Sequence, residues 1–420
     1  MKLLHVSDWH LGCVLYTESR SPDHEIVLNE IVNIAREKRP DLIVHSGDLF
    51  QHRRPSIPDQ ILAITVLQEL EAIAPIVVIC GNHDSPALFR LFSQLQGSDS
   101  RIHFIDRPRD PDAGGILHFS CRDGTAVRLG ALPFVHANEA VNAFDDIAHR
   151  RAAYADRIAR MEQAIAAELF RDFDRHRDVA IFAAHFHVHG AHFTGSERPR
   201  HTSDYYATRH DDIPTVDYAA FGHIHKPQAL PGKRVTGRYA GSPIQIDFGE
   251  LHERKSVVLA DLRPGQPAQV DTIAVSGGRG LWRFEGTLDE LRLQAPDAGN
   301  KLCLITVHNS THEPTLSEQV RDLLPQAVLL QPINEVCRDR RLEILTPEAV
   351  SADAEPDMRQ LFRECLSDRG SISLPAELLM STFSRVLTAV EEQRTAVFEE
   401  EAVLSEPTEE RSTEISEASR

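Results

Sequence analysis

The chain of 420 residues has little cysteine, no long apolar run and a deficit of positive charge. Its six cysteines stand at 13, 80, 121, 303, 337 and 365, and none forms a C-x-x-C. Free thiols in a reducing cytoplasm are the expectation. No stretch approaches the ~20 apolar residues of a membrane span. His5, Ser7, Asp8 and His10 interrupt the N-terminal segment, so it lacks the apolar core of a secretory signal. A soluble cytoplasmic protein without membrane contact is expected. Lys and Arg number 45 against 63 Asp and Glu, for a net charge of −18. That balance argues against a uniformly basic nucleic-acid protein. Ten Glu and three Arg in residues 391–420 account for −7 of it. An anionic substrate must therefore be drawn by local patches or by bound metal.

What is present is a repeated arrangement. The length suggests two to three domains at about 150 residues each, and a hydrophobic fraction of 41% is enough for real cores. The segment Leu3–Gly12 begins as a short buried strand and delivers Asp8 and His10. In extended backbone, residues two apart project to one side, so a carboxylate and an imidazole should meet at the carboxyl end of a strand. Ligands bind at that end in open α/β sheets. Hydrophobic runs also lead into Asp48 (from Leu42), Asn82-His83-Asp84 (from Ile76), His185 (from Val179) and His223-Ile224-His225 (from Tyr218).

Between these runs lie helical periods: Asp23 to Arg39, a start at Ser56-Ile57-Pro58, and a long helix from about Asp145 to Phe173. Alternating strands and helices imply a parallel sheet with right-handed crossovers. From Ile102 to Leu132 the runs are short and turn-punctuated, so antiparallel strands are expected there. Residues 196–215 read as a polar loop beside the site. Leu262 to Pro267 has the composition of a linker. The expected domains are therefore 1–265, a small α+β module at 269–335, a helical region at 345–398, and a disordered acidic tail at 399–420. His308 and His312, in the module, read as surface histidines. The helical region carries two apolar stripes, Met358, Leu361, Phe362, Cys365 and Leu366, then Leu379, Phe383, Val386, Leu387, Val390 and Val397. These stripes either pack on each other or dock a partner.

Asp8, His10, Asp48, Asn82, His185, His223 and His225 form a mixed oxygen and nitrogen ligand set large enough for two ions. Such donors suit Mn²⁺, Fe²⁺ or Zn²⁺ better than Mg²⁺ or Ca²⁺. Two ions about 3.5–4 Å apart are a recurring device for phosphoester hydrolysis. Asp48, in the middle of the series, is the candidate bridge. Taken singly, a D-x-H is a weak signal, Asn82-His83-Asp84 reads as a turn, and His223-Ile224-His225 as two half-buried histidines. Five segments that each end a strand in such residues make coincidence a poor account.

The series Asp8-Trp9-His10, Gly47-Asp48, Gly81-Asn82-His83-Asp84, His185 and Gly222-His223-Ile224-His225 resembles the calcineurin-like metallophosphoesterase superfamily. Within it, Ser7-Asp8-Trp9-His10-Leu11-Gly12, His225-Lys226-Pro227 and Tyr239-Ala240-Gly241-Ser242-Pro243-Ile244 are similar to the SbcD family of bacterial nuclease subunits. The resemblance spans about residues 1–395, strongest over the first 260. It implies an α/β fold, a β-sandwich flanked by helices, with a capping domain and C-terminal helices that dock an SbcC-type coiled-coil ATPase. It also implies a nuclease of double-stranded and hairpin DNA, in the cytoplasm at the nucleoid, acting as a homodimer within a heterotetramer. Two divalent ions are implied, Mn²⁺ being the expected one. Asp8, His10, Asp48 and His225 would hold one, and Asp48, Asn82, His185 and His223 the other. His83 would be the catalytic histidine, with Asp84 orienting it; an imidazole can donate or accept a proton near neutrality.

The chain departs from the family's pattern in two places. Gln51 stands three residues after Asp48, where the family commonly has Asp. Around His185 the sequence reads Ala184-His185-Phe186-His187-Val188-His189, so His187 or His189 could compete for the ligand role. Arg53, Arg54, Arg198, Arg200 and Lys226 follow ligand segments and could face a phosphate backbone; solvated surface charge is the plainer reading of each. A small-molecule phosphodiesterase or phosphatase on the same fold is the alternative, and a partner-binding subunit with a vestigial site is a third. The extra C-terminal half favours the nuclease over the former, and the complete ligand set argues against the latter.

Overall fold

The computed structural model describes residues 1–136, 147–194, 207–337, 358–368 and 376–391. Residues 1–338 form one unit and 339–420 another.

The first unit begins with β1 (Lys2–Val6), a hairpin of β2 (Val14–Leu15) and β3 (Glu18–Ser19), α1 (Ser21–Lys38), β4 (Leu42–His45), α2 (Ile57–Glu71), β5 (Ile76–Ile79), α3 (Pro86–Leu95) and β6 (Ile102–Ile105). Each crossover is a helix, so β1, β4, β5 and β6 lie parallel, with Val6 opposite His45 and His45 opposite Val78. Ser56 caps α2 by accepting from Asp59 N, with Pro58 in the first turn; such a cap contributes about 1 kcal/mol. The second half supplies β7 (Ile116–Ser120), β8 (Ala126–Leu132), α4 (Ile147–Leu169), β9 (Asp178–His185), β10 (Tyr218–Gly222), β11 (Gln228–Ala229) and β12 (Gly237–Tyr239). They form a second sheet in the order β11-β12-β10-β9-β8-β7, parallel except at its edges.

The two sheets stack through Leu3, Val44, Val77 and Ile79 on one side and Leu129, Val179, Ile181 and Ala220 on the other. The outer face of the first sheet buries against α1, α2 and α3. The outer face of the second buries Tyr154, Ile158 and Ile165 of α4. This is an α/β sandwich flanked by helices. Strands buried on both faces read as continuous apolar runs, as they do here.

Two expectations need correction. The antiparallel reading of 102–132 holds for β7 and β8, but β6 is parallel to β5. The domain break at 262–267 is a hairpin. Gln266 N donates to Arg263 O, and Gly265 takes φ +69°. The chain then returns as β14 (Gln269–Ala274), antiparallel to β13 (Ser256–Asp261), and extends the first sheet. Pro-Gly composition marks a reversal as well as a linker, and sequence alone does not tell them apart. The small module's own sheet starts at β15 (Leu281–Gly286). It continues through α5 (Leu288–Ala298), β16 (Leu302–Asn309), α6 (Leu316–Leu323), β17 (Val328–Leu329) and β18 (Asn334–Cys337). Thr287 and Glu290 close a capping box at the start of α5.

In the second unit, α7 (Met358–Asp368) and α8 (Ala376–Glu391) meet through stacked rings of Phe362 and Phe383, 4.1 Å apart. Residues 345–357 and the tail from 399 lie outside the described residues. Among the described residues, no helix is long and apolar enough to cross a membrane.

Candidate metal centre

The register of the strands brings the predicted residues together. Val6 and His45 are paired, so the loops leaving β1 and β4 run side by side. Asp8 N donates to Gly47 O (2.9 Å), His10 N to Asp48 O (3.1 Å) and Leu11 N to Leu49 O (3.1 Å). In the other sheet His185 pairs with Gly222, which places His223 beside it. The small residues of the motifs have a steric cause. A Cβ on Gly47 (φ +105°) would collide with the His185 imidazole, and one on Gly222 would collide with Ser46 O and Ser7 Oγ.

Asp8 (φ 51°), His10 (φ 49°), Asp48 (φ 54°) and His223 (φ 93°) all have left-handed backbone. Asp8 and His10 therefore do not reach the site as neighbours on an extended strand. Each is turned individually out of a left-handed position, an uncommon and costly conformation outside glycine that clusters at functional sites.

The Asp48 carboxylate lies between two groups of ligands. Its Oδ1 accepts from His83 N (2.9 Å), while Oδ2 faces His10 Nε2 at 3.5 Å and His185 Nε2 at 3.3 Å. On one side Asp8, His10 and His225 bring ligand atoms within 4.8 Å of one another; on the other Asp48, His185 and His223 do the same. Asn82 Oδ1 joins the second group, 2.9 Å from His185 Nε2 and 2.8 Å from His223 Nδ1. His187 and His189 are in neither group: the His187 ring packs at a tilt against Phe193, centroids 4.2 Å apart, and His189 is exposed.

The donor chemistry fits a pair of cations. His185 Nδ1 donates to Ser46 O (2.8 Å), so in a neutral ring Nε2 carries a lone pair toward two oxygens. That repulsion needs a proton or a cation. Burial opposes a proton on His185, but the Asp48 carboxylate and its hydrogen bond outweigh burial and raise the pKa to about 9. Asp8 Oδ2 and both ring nitrogens of His10 are buried without a hydrogen-bond partner, an expensive arrangement unless a ligand satisfies them. Burial, then His225, holds His10 neutral; burial, then His185, does the same for His223. Asp48 stays ionised because His185 and His83 overcome its burial, whereas burial lifts Asp8 to about 6. Neutral imidazoles and an ionised carboxylate are the forms that bind metal.

His83 is half-buried beside this centre, its ring 4.9 Å from that of His10. Its Nδ1 donates to Gln51 O (2.8 Å), which leaves Nε2 for chemistry. The backbone of Gln51 does this holding, so its departure from the family's side chain does not disturb it. Among the described residues the Asp84 carboxylate makes no direct hydrogen bond to the His83 ring. The carboxylate is fully buried and accepts from Gly81 N (2.9 Å), Phe50 N (3.0 Å) and Leu49 N (3.2 Å). It braces the loop that carries Asp48. Burial and Asp48 push it up to about 7 against those three donors.

Sequence reasoning missed Glu250. It lies in a short 3₁₀ turn (Phe248–Glu250) and accepts from His225 Nδ1 at 3.0 Å. An acidic residue in an irregular segment carries no local signal of such a partner. Phe134 was also missed; it walls the second ligand group, stacked on His223 at 6.1 Å. Arg53, Arg54 and Lys226 are exposed, and Arg53 Nη2 approaches His136 Nε2 at 2.6 Å. Arg198 and Arg200 lie outside the described residues.

The calcineurin-like phosphoesterase family matches residues 1–227. The SbcD component of the nuclease SbcCD from Bacillus subtilis (strain 168) is 27% identical over 417 residues, covering 94% of this chain and 99% of that protein. The SbcD component from Escherichia coli (strain K12) is 28% identical over 304 residues, 70% of this chain and 73% of its own. A dimetal phosphatase of Danio rerio superposes with a TM-score of 0.39 at 13% identity, over 65% of this chain and 98% of its own. The family match takes in every candidate ligand from Asp8 to His225 and more than half of the sequence. The chain belongs to the calcineurin-like phosphoesterases.

Proposed function

We propose that this chain is a two-metal-dependent DNA nuclease that works with an SbcC-type coiled-coil ATPase in end processing, repair and recombination. The observation that carries this reading is Asp48 Oδ2 standing between two groups of buried ligands. Asp8, His10, Asp48 and His225 would hold one divalent ion, and Asp48, Asn82, His185 and His223 the other. When bound, such a pair stabilises charge on the attacking and leaving oxygens of a phosphodiester.

The remaining chemistry falls to the chain's own groups. His83, anchored at Nδ1, holds its Nε2 beside His10 and Asp48, where it can give a proton to the leaving oxygen. The buried carboxylate of Asp84 keeps the Asp48 loop in place. Arg53, Arg54, Arg198, Arg200 and Lys226 would position a phosphate backbone without reading its sequence. The activity we assign is 3′–5′ exonuclease on duplex ends and endonuclease on hairpins and single strands, with Mn²⁺ as the cofactor, in the cytoplasm at the nucleoid.

The architecture supports the assembly. Residues 281–337 form a compact module that we read as a capping domain, and the helices within 345–398 as the docking region for the ATPase. The match over nearly the whole chain to one component of a two-component nuclease supports that partner. Ile57 and Ile61 on α2 are 65% and 62% exposed, and Leu91 and Leu95 on α3 are 46% and 74% exposed. Apolar faces of this kind favour a homodimer, and with two ATPase subunits a heterotetramer.

The test is an assay of hairpin-ended duplex DNA with Mn²⁺, with and without the ATPase. Metal-dependent cleavage of the hairpin, stimulated by ATP only with the partner, is the expected result. Hydrolysis of small phosphodiesters alone, with DNA untouched, would overturn the nuclease reading.

A further inference from the structure

His225 reaches the site from the loop that follows β10. It stands three residues beyond β10, and an exposed lysine and then a proline follow it. The fold compensates from a distance. His225 Nδ1 meets Glu250 Oε1 at 3.0 Å. Its backbone carbonyl accepts from Lys255 Nζ at 3.0 Å and from Ser242 N at 3.1 Å. Lys255 Nζ in turn grips Glu250 Oε2 at 2.8 Å, together with Ser242 Oγ and Glu253 Oε2, each at 3.0 Å. Glu250 Oε2 also accepts from Ile246 N (3.0 Å). Glu250 and Lys255 are buried, and Lys255 immediately precedes β13, whose partner strand β1 leads to Asp8 and His10.

We propose that Glu250 and Lys255 act as a pair of positioning residues that set the His225 ring for the ion held with Asp8 and His10. The inference rests on the two-ion reading above. Glu250, an acceptor at Nδ1, keeps the proton there and leaves Nε2 with its lone pair for the ion. Lys255 fixes both the carboxylate and the backbone of the residue it serves. The pair thus ties a ligand from the second sheet to the first, across the sandwich. Carboxylates behind metal-bound histidines fix the tautomer, raise ligand basicity and typically contribute 10–100-fold in metal affinity. The other histidine ligands lack this support among the described residues: His185 is held by the Ser46 carbonyl, and neither ring nitrogen of His10 has a hydrogen-bond partner. A merely structural ion pair closing the 241–255 segment would cost stability on removal but would not act on one ion selectively.

The experiment is a Mn²⁺ titration of the full-length protein by electron paramagnetic resonance, counting free Mn²⁺ and following the coupled-pair signal, with thermal melts as the check on folding. Wild type is expected to bind two ions; fewer than two would sink the two-ion reading itself. In E250A one ion should keep its affinity while the other weakens about 10–100-fold, and the pair signal should give way to that of an isolated ion. In E250Q, which keeps an uncharged acceptor, the same ion should weaken less. If E250A does not fold, E250Q alone decides. Wild-type isotherms for both ions in the folded variants, or equal weakening of both ions, would overturn the proposal.

Discussion

The metal end of the sandwich and the β15–β18 module use the same construction to opposite ends. Both have parallel strands joined by helices, and both carry histidine and acidic residues where strands finish. In the module those groups satisfy one another. Asn309 Nδ2 donates to Glu335 Oε1 at 2.6 Å, His312 pairs with Glu335, and His308 Nε2 meets Glu285 Oε1 at 3.2 Å. His312 is 70% exposed on its side chain. In the sandwich Asp8, His10 and Asp48 are buried, and Asp8 Oδ2 and both ring nitrogens of His10 are left without a hydrogen-bond partner. Two differences produce this. The strand ends of two sheets converge there, whereas the module has one sheet. Four of the ligand residues, Asp8, His10, Asp48 and His223, also sit on left-handed backbone, while among the described residues of the module only Gly299 has a positive φ. Ligand residue types at strand ends are not sufficient; burial without mutual satisfaction is what makes a site.

The contrast can be broken most severely at Asp48. Asp48→Ala removes the carboxylate shared by both ligand groups, so metal content should fall and DNA hydrolysis should drop below detection with the melting curve intact. Near wild-type Mn²⁺-dependent cleavage would remove the bridging role. Replacing His83 by Ala or Gln should lower turnover by about two to four powers of ten while both ions remain. Loss of an ion on metal analysis would make His83 a ligand, which its proximity to His10 and Asp48 permits.

Deleting residues 350–420 should spare metal-dependent cleavage of single-stranded or nicked substrates and abolish both association with the ATPase and ATP-stimulated cutting of duplex ends. The apolar stripes of α7 and α8 meet at least through Phe362 and Phe383. Unfolding of the truncated protein, or undiminished co-purification, would make the helices part of this chain's own core.

A smaller effect is expected at Glu162 on α4, whose carboxylate oxygens are buried without a partner. Burial, reinforced by Asp212, raises its pKa to about 8 from an ordinary 4.5. Because the folded value lies above the unfolded one, its contribution is fully present below pH 4.5 and is lost as pH rises through 8. Glu162→Gln should therefore stabilise the protein at pH 9 by up to a few kcal/mol and have little effect at pH 5. Equal melting shifts at both pH values would show that the carboxyl is not buried uncharged. At the small end, His308→Ala and His312→Ala should each change stability by less than about 0.5 kcal/mol and leave metal content alone.

Some of this was open to reading from residues alone, and the reason is local chemistry. Asp8, His10, Asp48, Asn82, His185, His223 and His225 are ligand types that follow apolar runs, and strand and ligand identity are both properties of short segments. The same holds for the Ser56 cap and the helical period of α1. The tertiary structure decided what long-range backbone geometry controls. Asp84 braces the Asp48 loop through amide donors, and His83 is held by the carbonyl of Gln51; main-chain groups leave no residue-type signature. The Pro264-Gly265 turn sends β14 back into the first sheet, because strand pairing depends on what lies alongside. Glu250 reaches His225 across 25 residues of chain, and only the folded arrangement of the two sheets brings those side chains together.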